Sequence, residues 1–279
     1  MTKEHTKVTY NSNPFTLSFN ALGSLFNVNL AWPLVLIGLE VFSWIMQGFS
    51  MIIDAATKNG STTTTPYEPV FTANPNPTDA GVIIAIATLV VGFVVFFSII
   101  ASIVGTYFMG MYSYVSLQSL ENKKVSFSEA FSAVTKRFWR LFFAQLLATL
   151  KIIGGLFLFI IPGIRAYLRY SILPYVIMSE PEGKSGIIST HNRTKELIRG
   201  RLMEPFGIST VASLIPLVGT SLGIVGNAAL YAQLAHYHDH KLEKPKVHWL
   251  NYIAFSVLVF ILLIALFIGV MIVALNAIA

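Results

Sequence analysis

From Ala80 to Leu117 the chain carries no charged residue. A helix of about 20 apolar residues crosses the ~30 Å hydrocarbon core of a bilayer, so this stretch alone decides the solvent in which the protein folds. Three further runs, Trp32 to Ile53, Leu141 to Ile161 and Leu250 to Ala279, are nearly as apolar. At 1.5 Å per residue the Ala80–Leu117 pattern overshoots the core, so its helix is expected to tilt or to project beyond the membrane. No polar stretch between the runs is long enough to build a soluble core. The expected fold is all-α, a polytopic membrane helix bundle.

Only 11% of the residues are charged, and the net charge is +6. The basic residues flank apolar runs, where they orient a membrane protein and meet anionic lipid. No basic and aromatic stripe stands on a soluble face, which argues against nucleic acid as a partner. The absence of cysteine excludes disulfides, thiolate catalysis and cysteine metal sites. Met1 to Asn13 is polar and lacks the charged-then-apolar pattern of a cleaved leader, so insertion is expected to rely on the first span.

Phe15, Phe19, Leu22, Phe26 and Leu30 recur at helical spacing between polar residues, which predicts an amphipathic helix lying in the interface. Trp32 and Pro33 mark the surface and the first turn of a span. Asp54 to Asp79 is rich in Thr, Asn and Pro, with Lys58 its sole basic residue, and reads as an irregular outside loop. Ser98, Ala101, Ser102 and Gly105 suit close helix packing. Ser126 and Glu129 form a capping-box signature for a second amphipathic helix, which ends on Lys136, Arg137 and Arg140. Pro162-Gly163 predicts a tight turn between two buried helices, with Gly163 taking the positive φ that ends the first. Ser185 is placed to cap a third polar helix bearing His191, Arg193, Lys195, Glu196, Arg199 and Arg201.

Leu17-Ser18-Phe19-Asn20 and Val125-Ser126-Phe127-Ser128 open similar segments, each followed by two apolar helices. The chain therefore divides into a polar tail (1–14), a membrane domain (15–240) and a short basic loop with a last span (241–279). Three units make up the domain, about 15–120, 125–180 and 185–240, each an interfacial amphipathic helix plus a helical hairpin. The expected count is six to seven membrane helices.

Ile161-Pro162-Gly163-Ile164, Tyr170-Ser171, Pro174-Tyr175 and Glu180, with Ser126 to Ala130, Ser189, Lys195-Glu196-Leu197 and Gly200-Arg201, resemble the signature of bacterial YciC-like integral membrane proteins. Those proteins are related to the membrane domain of some glycerophosphoryl diester phosphodiesterases. The resemblance runs from about Phe15 to Tyr237. It implies a multi-spanning domain in a bacterial-type plasma membrane and a hinge built on Pro162, Gly163, Tyr170, Pro174 and Glu180. It carries no catalytic residues and no cofactor, and Leu250 to Ala279 departs from the pattern.

Glu40, Lys151, Arg165 and Arg169 fall within or near membrane-depth helices, where an unpaired charge costs several kcal/mol and often marks a polar pathway. The structural reading has Lys151 and Arg165 reaching an interface while Glu40 pairs with Arg169. His236 and His240 share a helix face at metal-ligand spacing, but no further ligand is identifiable, so no metal is assigned. Gly219-Thr220-Ser221-Leu222-Gly223 matches a nucleophile-elbow string in a helical rather than a strand-turn-helix setting, and reads as a GxxxG packing pair. The expected function is that of a non-enzymatic module binding lipid or a membrane protein partner. Lys136, Arg137, Arg140, Arg193, Lys195, Arg199 and Arg201 would meet anionic lipid at the cytosolic face. The alternative is a transporter of small molecules or lipid with a midplane polar site, and an intramembrane hydrolase comes last.

Residues 205–234 are too long for one upright span, and each half is short for a crossing. The positive-inside rule favours a hairpin turning near Pro216 to Gly219, which keeps Lys241, Lys244 and Lys246 inside, with the N-terminus inside and Ala279 outside. Cysteine at Lys244 should therefore be shielded from an impermeant maleimide in intact cells, as at Lys123; labelling at Lys244 alone would overturn the hairpin.

Overall fold

Asn13 opens the first helix, its side chain accepting from the backbone N–H groups of Phe15 and Thr16, with Pro14 at the first helical position. The computed structural model describes residues 10–59, 77–181 and 186–278. All elements among them are helices: α1 (Pro14–Val28), α2 (Ala31–Asn59), α3 (Pro77–Leu120), α4 (Phe127–Thr135), α5 (Phe138–Leu158), α6 (Ile160–Tyr170), α7 (Leu173–Ser179), α8 (Ile187–Leu197), α9 (Met203–Leu214), α10 (Gly219–Asp239) and α11 (Trp249–Ile278). Three described segments are long and apolar enough to cross a membrane, Ala31–Ala55, Ile84–Leu120 and Phe138–Leu158. Most of the expected outside loop, and Ser185 with its expected cap, lie outside the described residues. Gly186 occupies the N-cap of α8.

The core sits where α1, α3, α7 and α10 meet. Leu17, Ala21, Leu22 and Leu25 of α1 are buried against α3, α9 and α10. Contact is close enough that a Cβ on Gly226 would lie 2.5 Å from Ser18 Oγ. Of the five residues expected on an interfacial face, Leu22 is buried and Phe26 half-buried, while Phe15, Phe19 and Leu30 stay exposed; the face of α1 that packs is the one carrying Leu17, Ser18, Ala21 and Leu25. The second amphipathic helix fits its expectation better. Ser126 Oγ accepts from the Glu129 N–H at 3.2 Å, while Ala130 and Val134 pack down and Phe127 and Phe131 remain exposed. Beyond the core, apolar side chains of α2 from Phe42 to Ile53 and of α3 from Ile84 to Ile100 are exposed, as suits helices facing hydrocarbon.

Two hairpins rise from this base. In the first, α5 ends at Phe159, whose φ of −163° and ψ of 151° break the helix, and α6 packs back along it. The expected turn at Pro162-Gly163 is thus displaced. Pro162 falls in the first turn of α6, where its missing N–H would have lacked an intrahelical partner anyway. Gly163 does not take a positive φ; among described glycines only Gly200 does. Its role is close approach: a Cβ there would lie 2.4 Å from Leu156 Cγ and Cδ2, and one on Gly155 would lie 2.9 Å from the Gly163 nitrogen. The second hairpin, α9–α10, turns at Ile215 to Val218, as expected for 205–234. Gly219 lets the legs meet, since a Cβ on it would lie 2.3 Å from the Ala212 carbonyl oxygen. The GTSLG string is thus a packing element.

Gly219→Ala and Gly163→Val should each destabilise by about 1–3 kcal/mol through overpacking, whereas Gly154→Ala, with open space around it, should be neutral or slightly stabilising. Thermal unfolding in detergent would check the order of the three.

Candidate functional site

Polar residues in a span must face something other than lipid, and on α2 they line up. Glu40, Ser43 and Gln47 stand three and four residues apart, on one helix face. That face borders an open cavity of about 790 Å³ lined by α2, α5, α6, α7, α9 and α10, with Met109 of α3. Gln145 and Thr149 face it from α5, Tyr167 and Tyr170 from α6, Ser209 and Ser213 from α9, and Thr220 and Asn227 from α10. Ile152, Ile215 and Leu217 supply apolar wall. Two residues of the expected hinge, Tyr170 and Pro174, belong to the same lining.

Glu40 lies about 12 Å along α2 from Trp32 at 1.5 Å per residue, inside the segment Ala31–Ala55 that is long and apolar enough to cross a membrane. Its Oε1 accepts from the Thr220 backbone N–H at 2.8 Å. Thr220 is the second residue of α10, so a carboxylate meets the positive end of a helix dipole and an otherwise orphaned donor. The expected partner was Arg169. Among the described residues no ion pair joins the two, and the helix terminus serves instead. Arg165 and Arg169 lie outside the cavity lining, on the side of α6 away from Tyr167 and Tyr170. Asn227 Nδ2 donates to the Gly223 carbonyl at 2.8 Å, while its Oδ1 is buried without a partner.

At the opposite end of the bundle charged groups tie the elements together. Glu180, just past α7, accepts from Arg140 of α5 and lies 3.8 Å from Arg193 of α8. Arg193 also forms a pair with Asp239 of α10, with contacts of 3.0 and 2.9 Å. Arg140 donates to Thr190 Oγ1 at 2.6 Å, and Arg137 to the Glu180 carbonyl at 3.3 Å. Arg201 reaches Glu204 at 3.1 Å and the Pro245 carbonyl. Of the seven residues expected to meet anionic lipid, Arg137, Arg140, Arg193 and Arg201 are therefore turned into the protein. Lys136, Lys195 and Arg199 are exposed.

Glu204 is almost fully buried and accepts from Tyr10 Oη at 2.7 Å. Burial lifts its carboxyl above the usual range although Tyr10 and Arg201 favour the charged form. Burial, reinforced by the Glu204 charge, likewise raises the Tyr10 phenol. Lys244 is lowered by burial and by Arg201. The cluster clips the start of the described chain to the loop before α11, and in the first turn of α11 Asn251 Nδ2 donates to the Ser12 carbonyl at 2.7 Å.

Lys151 is half-buried. Its Nζ lies 5.4 Å from the centre of the Tyr170 ring and 3.5 Å from His191 Nδ1. His191 is buried on α8, with Nε2 3.1 Å from the Ala144 carbonyl oxygen. That geometry sets the tautomer: Nε2–H donates to the carbonyl, and Nδ1 accepts from the ammonium. Neither residue's partner could be read from spacing, because the contact joins helices 40 residues apart. The cavity stripe on α2 did leave a signal, neutral polar residues at helical spacing around Glu40.

Ser221 is buried at the start of α10 and His236 lies near its end. The helix separates them by about 22 Å, so they cannot form a nucleophile and base. The His236 and His240 rings stand 4.4 Å apart. Among the described residues no group of three or more His, Cys, Asp or Glu is placed to hold a metal.

Burial and the Lys151 charge push the His191 pKa below its ordinary value. A neutral imidazole is thus preferred by the fold over the unfolded chain. The stability this gives is complete above the unfolded pKa of about 6.5 and is lost as pH falls through the lower folded value. Melting temperature should drop below about pH 6.5, and His191→Gln should flatten that part of the profile; an equal slope in both proteins would refute the assignment.

The chain matches no protein-family model, no curated protein and no solved structure, so the case for what the cavity does rests on its geometry.

Proposed function

We propose that this chain is a non-enzymatic multi-pass membrane protein that binds a small polar or amphiphilic molecule in the cavity beside α2. The observation that carries the reading is the Glu40-Ser43-Gln47 stripe facing Gln145, Thr149 and Ser213 across open space. Polar side chains are expensive at this depth unless they are paired or face a polar occupant. A cavity with apolar walls and a few convergent polar groups is the usual form of a ligand site. Lipid is the ligand class that reaches such a site directly from the bilayer.

One observation favours transport as the second reading. From Tyr231 back to Thr220, α10 rises only about 16 Å, against about 27 Å from Arg140 to Leu158 in α5. The α9–α10 hairpin thus ends part-way through a bilayer, with a helix N-terminus at its tip. Half-depth helices of this kind line substrate sites in carriers.

The resemblance to YciC-like proteins accords with this reading, as does the order of a short helix followed by two longer segments, three times over. We take these as repeated units contributing six to seven membrane helices, in a bacterial-type plasma membrane with the N-terminus cytosolic. Exposed Lys136, Lys195 and Arg199 would then face anionic lipid of the inner leaflet, and a membrane protein partner would dock on the lipid-facing sides of α2 and α3.

The test is purification in native lipid followed by mass spectrometry of what copurifies, for wild type and for Thr149→Trp, which fills the cavity from an exposed position. The expected result is a lipid or small molecule retained by wild type and depleted at least about tenfold in the variant at equal melting temperature, a loss of 1.4 kcal/mol in binding. Equal retention by both would overturn the reading.

A further inference from the structure

The cavity's charge and its aromatic wall narrow the chemistry of its occupant. Among the described residues that line it, Glu40 is the one charged side chain. Lys151 approaches from behind Tyr170 but is directed to His191, and Arg165 and Arg169 stand outside the lining. Glu40 is half-used: Oε1 takes the Thr220 N–H, and no described group donates to Oε2. The half-charge of the α10 terminus offsets part of the carboxylate and leaves a net negative site. Trp44 and Tyr167 line the same cavity with exposed rings, whose faces attract cations, while Tyr170 already holds Lys151 over its ring. The buried Asn227 Oδ1 adds an acceptor without a partner. An anion entering here would meet one carboxylate and no free cation, and a neutral ligand would leave the charge uncompensated.

We propose that the cavity selects an organic ammonium group, with Glu40 as its counter-ion and the aromatic wall as its cage. The inference rests on the ligand-binding reading above and deepens it. The ammonium comes either from a free amine or quaternary ammonium compound or from the headgroup of a lipid such as phosphatidylethanolamine. Both present the same group to the same residues.

Because the chain has no cysteine, one introduced thiol reports on the cavity alone. Ser213→Cys, in the full chain in phosphatidylglycerol nanodiscs, is reacted with neutral methyl, cationic trimethylammonioethyl and anionic sulfonatoethyl methanethiosulfonates. Each rate is divided by that reagent's rate with free mercaptoethanol. The normalised cationic rate should exceed the anionic rate about tenfold, as expected for one partly screened charge nearby. Glu40→Gln, which keeps an acceptor for Thr220, should bring the ratio close to one. Tetramethylammonium should slow the neutral reagent if a soluble cation enters. Slowing only when phosphatidylethanolamine is included would assign the headgroup instead, and either protection supports the proposal. A ratio near one in the Ser213→Cys protein, or protection by neither, overturns it. Failure of the neutral reagent to label both Ser213→Cys and Thr149→Cys would instead remove the cavity reading itself. Both substitutions are at exposed positions, so either protein can serve if the other misfolds.

Discussion

A carboxylate on a helix apolar enough to cross a membrane needs a donor, and the arrangement around α2 and the α9–α10 hairpin turns on how Glu40 finds one. The donor is the backbone of Thr220 at the tip of the α9–α10 hairpin. For that tip to reach Glu40, α10 has to begin level with Glu40 on α2. For α10 to begin there, α9 has to turn after twelve residues. Pro216 ends α9, Gly219 lets the two legs touch at Ala212, and the shortened hairpin leaves the space between α2 and α5–α6 unfilled.

The charged end works by the opposite logic. There, guanidinium groups that composition assigns to lipid are spent on holding helices together. Glu180 draws Arg140 and Arg193 from two helices, and Arg193 brings in Asp239 from a third. Bidentate and multiply shared contacts of this kind gain from partial burial and from the several partners each charge has. The result is a base in which α5, α8 and α10 are fixed relative to one another, with Lys151 and His191 extending the tie toward the membrane.

Much of the helical order was legible in the sequence, and the limits of that legibility are physical. The break between Pro205 and Leu234 could be read from length alone, because thirty residues fit neither one span nor two. The turn near Pro162 was placed three residues late: a proline is as compatible with the first turn of the returning helix as with the loop before it, and Gly163 was needed for contact with Leu156 rather than for its φ. The helix α1 was legible, but its expected stripe was not the whole of its packing face: Phe15 and Phe19 of that stripe stay exposed, while Leu17, Ala21 and Leu25 pack into the bundle. Glu40 was identifiable as an expensive residue. Its partner was not, because a backbone N–H at a helix start leaves no mark of charge or residue type, and the search for a compensating cation pointed to Arg169.

That last error bears on what the cavity can do. Had Glu40 been paired with Arg169, the site would be a closed ion pair, stabilising two helices and presenting no charge to a ligand. A backbone donor satisfies one oxygen, fixes the carboxylate's direction and leaves the second oxygen and a net negative potential facing the open space. Peptide dipoles do not titrate and cannot swing away, so the carboxylate stays oriented whether or not anything is bound. The groups opposite, hydroxyls and amides from α5 and α9, can donate or accept as an occupant requires. On the proposed reading, selectivity would rest on the one fixed charge and the aromatic rings, while the neutral polar groups would accommodate the rest of the molecule. The same division explains why the lining contains so few charged residues yet so many polar ones: additional charges would each need a partner at this depth, whereas an amide or hydroxyl can return a hydrogen bond to its own helix, as Asn227 does to Gly223 and Ser213 to Ser209.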